Sequence, residues 1–286
     1  MAKPIVFFGE LLIRLTAPGR ELLMQSHGFD VHIGGAEANV AVGLAHLGHD
    51  TAMVSAVPDN ALGRGAVSAI RAHNVDCSNV QARDGRMGLY FLAQGAGLRA
   101  SEIVYDRLGS SFAHMNAADF DWDILLRDAK MLHLSGITPA LGPQSAEAAL
   151  AAAKAAARMG IPISFDGNYR AMLWDRWDSN PRAILSELIG HADILFGNHR
   201  DISLVLGQDF SVDGADRRRE AALAAFGDTR SVERAAHGVI PHAGQVLHPA
   251  AAHQHHAVFL QVVAFTADVG NHLKTVGQAH FGNFTQ

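Results

Sequence analysis

The sequence is poor in the features that mark secreted, membrane-spanning or polyanion-binding chains. One cysteine, Cys77, stands among 286 residues, which excludes an intrachain disulfide framework and suits a reducing compartment. No run of Lys and Arg resembles a nucleic-acid arm, and a net charge of -5 gives no general attraction for polyanions. No apolar run has the length of a bilayer span. The N-terminal run Ile5-Val6-Phe7-Phe8 meets Gly9-Glu10 too soon for a signal peptide. The Ala-rich stretch 148–157 carries Lys154 and is followed by Arg158, so it reads as an amphipathic helix. These absences predict a cytoplasmic protein with neither a nucleic-acid nor a membrane partner. What remains is ample core material: 49% hydrophobic and 18% charged residues, in a length that suits one large α/β domain.

Short apolar runs at 4–8, 51–57, 131–134, 161–165 and 194–196 have the pattern of strands buried on both faces. Helical patterns lie between them at 37–47, 61–73, 143–159 and 181–189, with Gly48 and Gly160 as stop signals. The first of these helices presents Val40, Leu44 and Leu47 as its apolar face. Alternating strand and helix predicts an α/β fold with a mostly parallel central sheet and helices on both faces. Two stretches, 11–33 and 88–115, hold β-prone pieces with no long helix between them, and predict a small sheet lying across the ligand cleft as a lid.

Four strings carry chemistry. Gly34-Gly35-Ala36-Glu37-Ala38-Asn39 opens a helix, so its glycines let backbone approach a ligand while Asn39 sits in the first turn. Tyr90, Tyr105 and Arg107 lie in the second of the β-prone stretches. The alternative for Tyr105 and Arg107 is an ordinary exposed strand pair. Asp166-Gly167-Asn168-Tyr169-Arg170 follows the strand 161–165, at the strand end where open parallel sheets bind ligands. Asn198-His199-Arg200-Asp201 follows 194–196 and begins a helix, where Asn198 is also a natural cap.

The glycine string, with Leu47-Gly48 and Val57-Pro58-Asp59-Asn60-Ala61-Leu62-Gly63 after it, resembles the N-terminal signature of the ribokinase-like, or phosphofructokinase B, carbohydrate kinases. The likeness runs from residue 5 to about residue 206. It implies that Gly34, Gly35 and Asn39 contact a sugar, with ATP as phosphoryl donor and Mg²⁺ as metal. Gly88-Leu89-Tyr90-Phe91 and Tyr105-Asp106-Arg107-Leu108-Gly109-Ser110 are similar to the lid of 2-keto-3-deoxygluconate kinases. That likeness implies that Tyr90, Tyr105 and Arg107 hold an acid sugar. It also implies phosphorylation of the sugar's terminal hydroxyl. Asp166-Gly167-Asn168-Tyr169-Arg170 resembles the Asp-x-Asn-Tyr-Arg stretch of acid-sugar kinases, which implies that Arg170 helps bind substrate or phosphate. Asn198 and Asp201 resemble the family's Asn-x-x-Glu motif for the hydrated metal and phosphate, with Asp in place of Glu. A fructokinase or ribokinase acting on a neutral sugar is the second reading, and there the paired arginines have no anion to balance. A homo-oligomer completed through the lid is a further expectation.

The family's C-terminal signature is missing: nowhere does Gly-x-Gly-Asp occur. That loop cradles the transferring phosphate and ends in the catalytic base, so no catalytic residue is assigned. The nearest string, Thr266-Ala267-Asp268-Val269-Gly270-Asn271, lacks the arrangement, and the adenine-binding segments are unrecognisable. Beyond residue 226 the composition shifts abruptly: Asp268 is the only acid after Glu233, and Lys274 the only Lys or Arg after Arg234. The expected division is therefore 1–226 as the ribokinase-like domain and 227–286 as a divergent segment, in the manner of a changed reading frame or a foreign tail. His253, His255 and His256 have no companion Cys, Asp or Glu and no i, i+4 pair among them, so no metal site is assigned. A sugar-binding remnant without turnover is thus a third reading.

Overall fold

A computed structural model of the chain describes residues 3–197 and 199–209. Six parallel strands form the central sheet in the order β10-β9-β8-β1-β4-β5. They are β1 (Ile5–Phe8), β4 (Thr51–Pro58), β5 (Asp76–Arg83), β8 (Met131–Ser135), β9 (Ile163–Asp166) and β10 (Ile194–Phe196). The helices are α1 (Ala36–His46), α2 (Ala61–Arg71), α3 (Trp122–Leu125), α4 (Pro143–Met159), α5 (Ala171–Trp174), α6 (Pro181–Gly190) and α7 (His199–Leu206). Side chains of β1 alternate between the two cores: Val6 and Phe8 pack with α4 and α6, whereas Ile5 and Phe7 pack with α1 and α2. A strand buried on both faces reads as continuous hydrophobicity, as β1, β4 and β8 do.

α4 packs tightly because its buried face is almost all alanine, from Ala146 to Ala156, and it stops at Gly160 in the left-handed conformation (φ 68°). Among the described residues no helix is long and apolar enough to cross a membrane. Two expectations need correction. Leu47 does not belong to the buried face of α1; it is 46% exposed, and Glu37, Ala38 and Ala41 are buried beside Val40 and Leu44 instead. β5 has no counterpart among the apolar runs because it is an edge strand whose half-exposed sequence, Asp-Cys-Ser-Asn-Val-Gln-Ala-Arg, carries few large hydrophobics. The proposed boundary between residues 226 and 227 lies outside the described residues.

The two irregular stretches form a second sheet in the order β3-β2-β6-β7, comprising β2 (Leu12–Thr16), β3 (Asp30–Gly34), β6 (Gly88–Ala93) and β7 (Glu102–Asp106). β2 and β6 run parallel and the outer pairs antiparallel. β2 leaves the C-terminal end of β1 after three residues, and β3 leads through Gly35 into α1. The small sheet is thereby tethered to the strand ends of the large one. Its central rung is His32, Arg14, Tyr90 and Tyr105.

His133 on β8 is buried, its Nδ1 is 3.0 Å from Ser164 Oγ, and its ring lies 5.4 Å from that of Phe7. Burial lowers its pKa from 6.5 to about 4. A depressed folded-state pKa means full stability above the unfolded value and loss as pH falls through the folded one. At about 1.4 kcal/mol per pH unit the whole effect is worth about 3 kcal/mol. Urea unfolding should show stability falling from pH 6.5 to pH 4, with a shallower slope in His133→Gln. An unchanged slope would mean that other groups carry the acid sensitivity.

Candidate functional site

Sequence order reverses around β1: the chain moves outward through β4 and β5, then returns to β8 on the other side. Ligands of open parallel sheets bind outside the C-terminal strand ends at such a point. Gly9-Glu10 ends β1, Gly136 follows β8, Gly167 follows β9 and Gly197 follows β10. Gly35 and Arg107 meet Glu10 at this edge, and Asp201 meets Gly167 there.

Gly34 closes β3 opposite Leu12, which in turn lies opposite Gly88 of β6. A Cβ on Gly34 would stand 3.1 Å from Asn39 Oδ1, so the exposed Asn39 amide lies over that backbone. Gly35 is required by close approach: a Cβ there would stand 2.2 Å from the Glu10 carbonyl oxygen. Glu37 is fully buried at the start of α1, and its Oε1 accepts from Ser135 Oγ (2.7 Å) and Thr138 Oγ1 (2.9 Å). These bonds fasten the glycine string to the end of β8. Burial raises the Glu37 pKa, against the lowering effect of those hydroxyls.

On the lid, the Tyr90 and Tyr105 rings are half-buried with centroids 6.1 Å apart. Burial raises the Tyr90 pKa, and the neighbouring Arg14 opposes it. Arg107, just past β7, is 4% exposed, which excludes the exposed-strand-pair alternative. Its Nε donates to Glu10 Oε2 at 2.6 Å, and its charge reaches Tyr90 and Glu37. Asp106 between them pairs instead with Arg86 Nη1 at 2.7 Å, which lowers its pKa.

Among the described residues, Arg107 and Arg170 bond to different partners, Glu10 and the carbonyl of Tyr169. Arg170 is half-buried, with Nη1 donating to its neighbour's carbonyl, Tyr169 O, at 3.1 Å. Asp201 is 5% exposed and its Oδ1 accepts from Tyr169 N at 3.0 Å. A Cβ on Gly167 would stand 2.6 Å from Asp201 Cγ. Asp201 therefore holds the loop after β9 in place with one of its oxygens. Asn198 lies outside the described residues, as do Asp268 and the three clustered histidines. Among the described residues no three His, Cys, Asp or Glu gather as a metal site.

Two positions beside these residues escaped the sequence reading. Glu10 looks like a turn residue after an apolar strand, and Arg14 like a surface residue of a short one. Their importance appears only once strands distant in sequence are paired.

The profile described as pfkB family carbohydrate kinase matches residues 2–258. The chain belongs to this family. Relatives with curated names include a 2-dehydro-3-deoxygalactonokinase of Haloferax volcanii, 34% identical over 73% of this chain and 65% of its own length. A 2-dehydro-3-deoxygluconokinase of Thermoproteus tenax is 31% identical over 71% of this chain and 62% of its own. Among solved structures, 2-dehydro-3-deoxygluconokinase of Thermotoga maritima superposes with a TM-score of 0.73 at 37% identity, covering 80% of this chain and 69% of that one. An uncharacterized sugar kinase of Pyrococcus horikoshii, solved in complex with ATP, superposes at 0.64 with 27% identity, covering 71% of this chain and 66% of that one. The chain thus spans about two thirds or less of the length of these curated relatives. In this pfkB member, the glycine string and lid fall within the matched residues.

Proposed function

We propose that the chain binds an acid sugar of the 2-keto-3-deoxygluconate type and that the whole protein phosphorylates its terminal hydroxyl with ATP and Mg²⁺. The observation that carries this reading is the buried guanidinium of Arg107, fastened by its Nε edge beside Tyr90 and Tyr105, on the lid tethered to Gly34 and Asn39. Glu10 already balances the charge of this cation, and at its terminal nitrogens a substrate carboxylate accepts stronger, charge-assisted hydrogen bonds than a neutral hydroxyl does. In this reading Gly34, Gly35 and Asn39 take the polyol, Tyr90, Tyr105 and Arg107 the carboxylate end, with Arg170 at the neighbouring strand end. Asn198 and Asp201 would serve the phosphate and metal side. The relatives named as kinases of 2-dehydro-3-deoxy acid sugars support the substrate class.

A cytoplasmic location belongs to the same proposal and is supported by the lone, buried Cys77. Pairing of two copies through the lid does too. It is supported by the rung Val31, Leu15, Phe91 and Val104, whose outer members are exposed.

Calorimetric titration tests the substrate. Affinity for 2-keto-3-deoxygluconate should exceed that for fructose or ribose by at least about tenfold, the least that one charge-assisted contact would give. Equal affinity, or preference for the neutral sugars, would overturn the acid-sugar reading in favour of a fructokinase-like one.

A further inference from the structure

Among the described residues, Glu10 meets Gly35 of the glycine string, Gly88 of the lid, Arg107 and Ser110. It stands two residues past β1, at the end of a core strand, and is 1% exposed. Its backbone carbonyl abuts Gly35 of the sugar loop. Its carboxylate fills the space where Gly88 of the lid would otherwise carry a Cβ, 2.3 Å from Oε1. Oε1 accepts from Ser110 Oγ, and Oε2 accepts from Arg107 Nε at 2.6 Å. Among the described residues the two terminal nitrogens of Arg107 make no hydrogen bond.

We propose that Glu10 is a positioning residue for acid-sugar recognition: it grips the Arg107 guanidinium by its Nε edge and leaves the terminal nitrogens for the substrate carboxylate. This rests on the acid-sugar reading above and names the group that makes it work. A buried ion pair adds little net stability over apolar packing of the same shape. It does fix the plane and reach of a side chain that otherwise has several free rotations. It also keeps the cation charge-balanced before substrate arrives. The same carboxylate sets the lid against the sugar loop, because Gly88 and Gly35 close on opposite parts of one residue. Glu10 thereby adds a side-chain anchor to the link that β3 and Gly35 already make between lid and loop.

The test uses the full chain and the near-isosteric Glu10→Gln. It should weaken 2-keto-3-deoxygluconate binding by at least about tenfold and leave fructose binding unchanged. In an Arg107→Gln background the same substitution should cost nothing more, since Glu10 acts through that arginine. A second readout needs no sugar: the rate at which phenylglyoxal modifies Arg107, followed by peptide mass spectrometry, should rise severalfold in Glu10→Gln. Equal losses for acid and neutral sugars, additive effects with Arg107→Gln, or an unchanged modification rate would each overturn the positioning role. If the unsubstituted chain binds no acid sugar while the modification rate rises, the substrate reading fails and the grip on Arg107 stands.

Discussion

Arg107→Ala should lose about 3–5 kcal/mol of folding stability together with its preference for an acid sugar. The two losses have one cause. Glu10 and Arg107 are both nearly withdrawn from water, at 1% and 4% exposure. Removing the cation leaves a buried carboxylate whose one remaining hydrogen-bond donor among the described residues is Ser110 Oγ, and that unpaired charge is what costs stability. Urea unfolding of the full chain measures it. The control is Glu10→Gln in the Arg107→Ala background, which should recover much of the loss because an amide needs no counter-ion. If the single variant loses less than about 1 kcal/mol, as an exposed pair would, the contact between strand end and lid is not tight in solution. Sugar affinity is read separately by calorimetry and stays lost in the double variant. Recovery of stability without recovery of binding separates the fold from the site.

That pair also marks how far the sequence could be read. Buried strands announce themselves by composition, so β1, β4, β8 and β10 lie where apolar runs fall, and α4 runs between its proline and glycine signals. The glycine string and the strand-end loop after β9 were legible for the same reason: local backbone requirements select particular residues. What local pattern cannot show is register. Arg14 and Tyr90 stand opposite each other across β2 and β6, 76 positions apart in sequence, because of a parallel pairing that neither strand encodes alone. Glu10 meets Arg107 across 97 positions. The sequence showed Arg107 as a cation of the lid; only the fold shows that it is buried and who holds it. Asp201 illustrates the converse, since a residue read as a metal-side acid also holds the backbone of Tyr169.

The 286-residue chain should bind 2-keto-3-deoxygluconate far better than it phosphorylates it, with turnover about 10²–10⁴-fold or more below that of a family member with an intact C-terminal signature. Phosphoryl transfer depends on positioning and on stabilising charge on the moving group. The described residues supply the glycine string, the small sheet beside it and the buried Arg107. They do not supply the base, and no Gly-x-Gly-Asp string occurs anywhere in the sequence to provide it with its anion cradle. Losing a general base alone accounts for the stated factor, and loss of the cradle adds to it. A coupled assay measures turnover on protein whose mass confirms an end at Gln286, with calorimetry on the same preparation. Binding with little turnover is the expected result. Turnover equal to that of an intact family member would defeat it and would require another carboxylate in the role, for which Asp268→Asn is the first substitution to make.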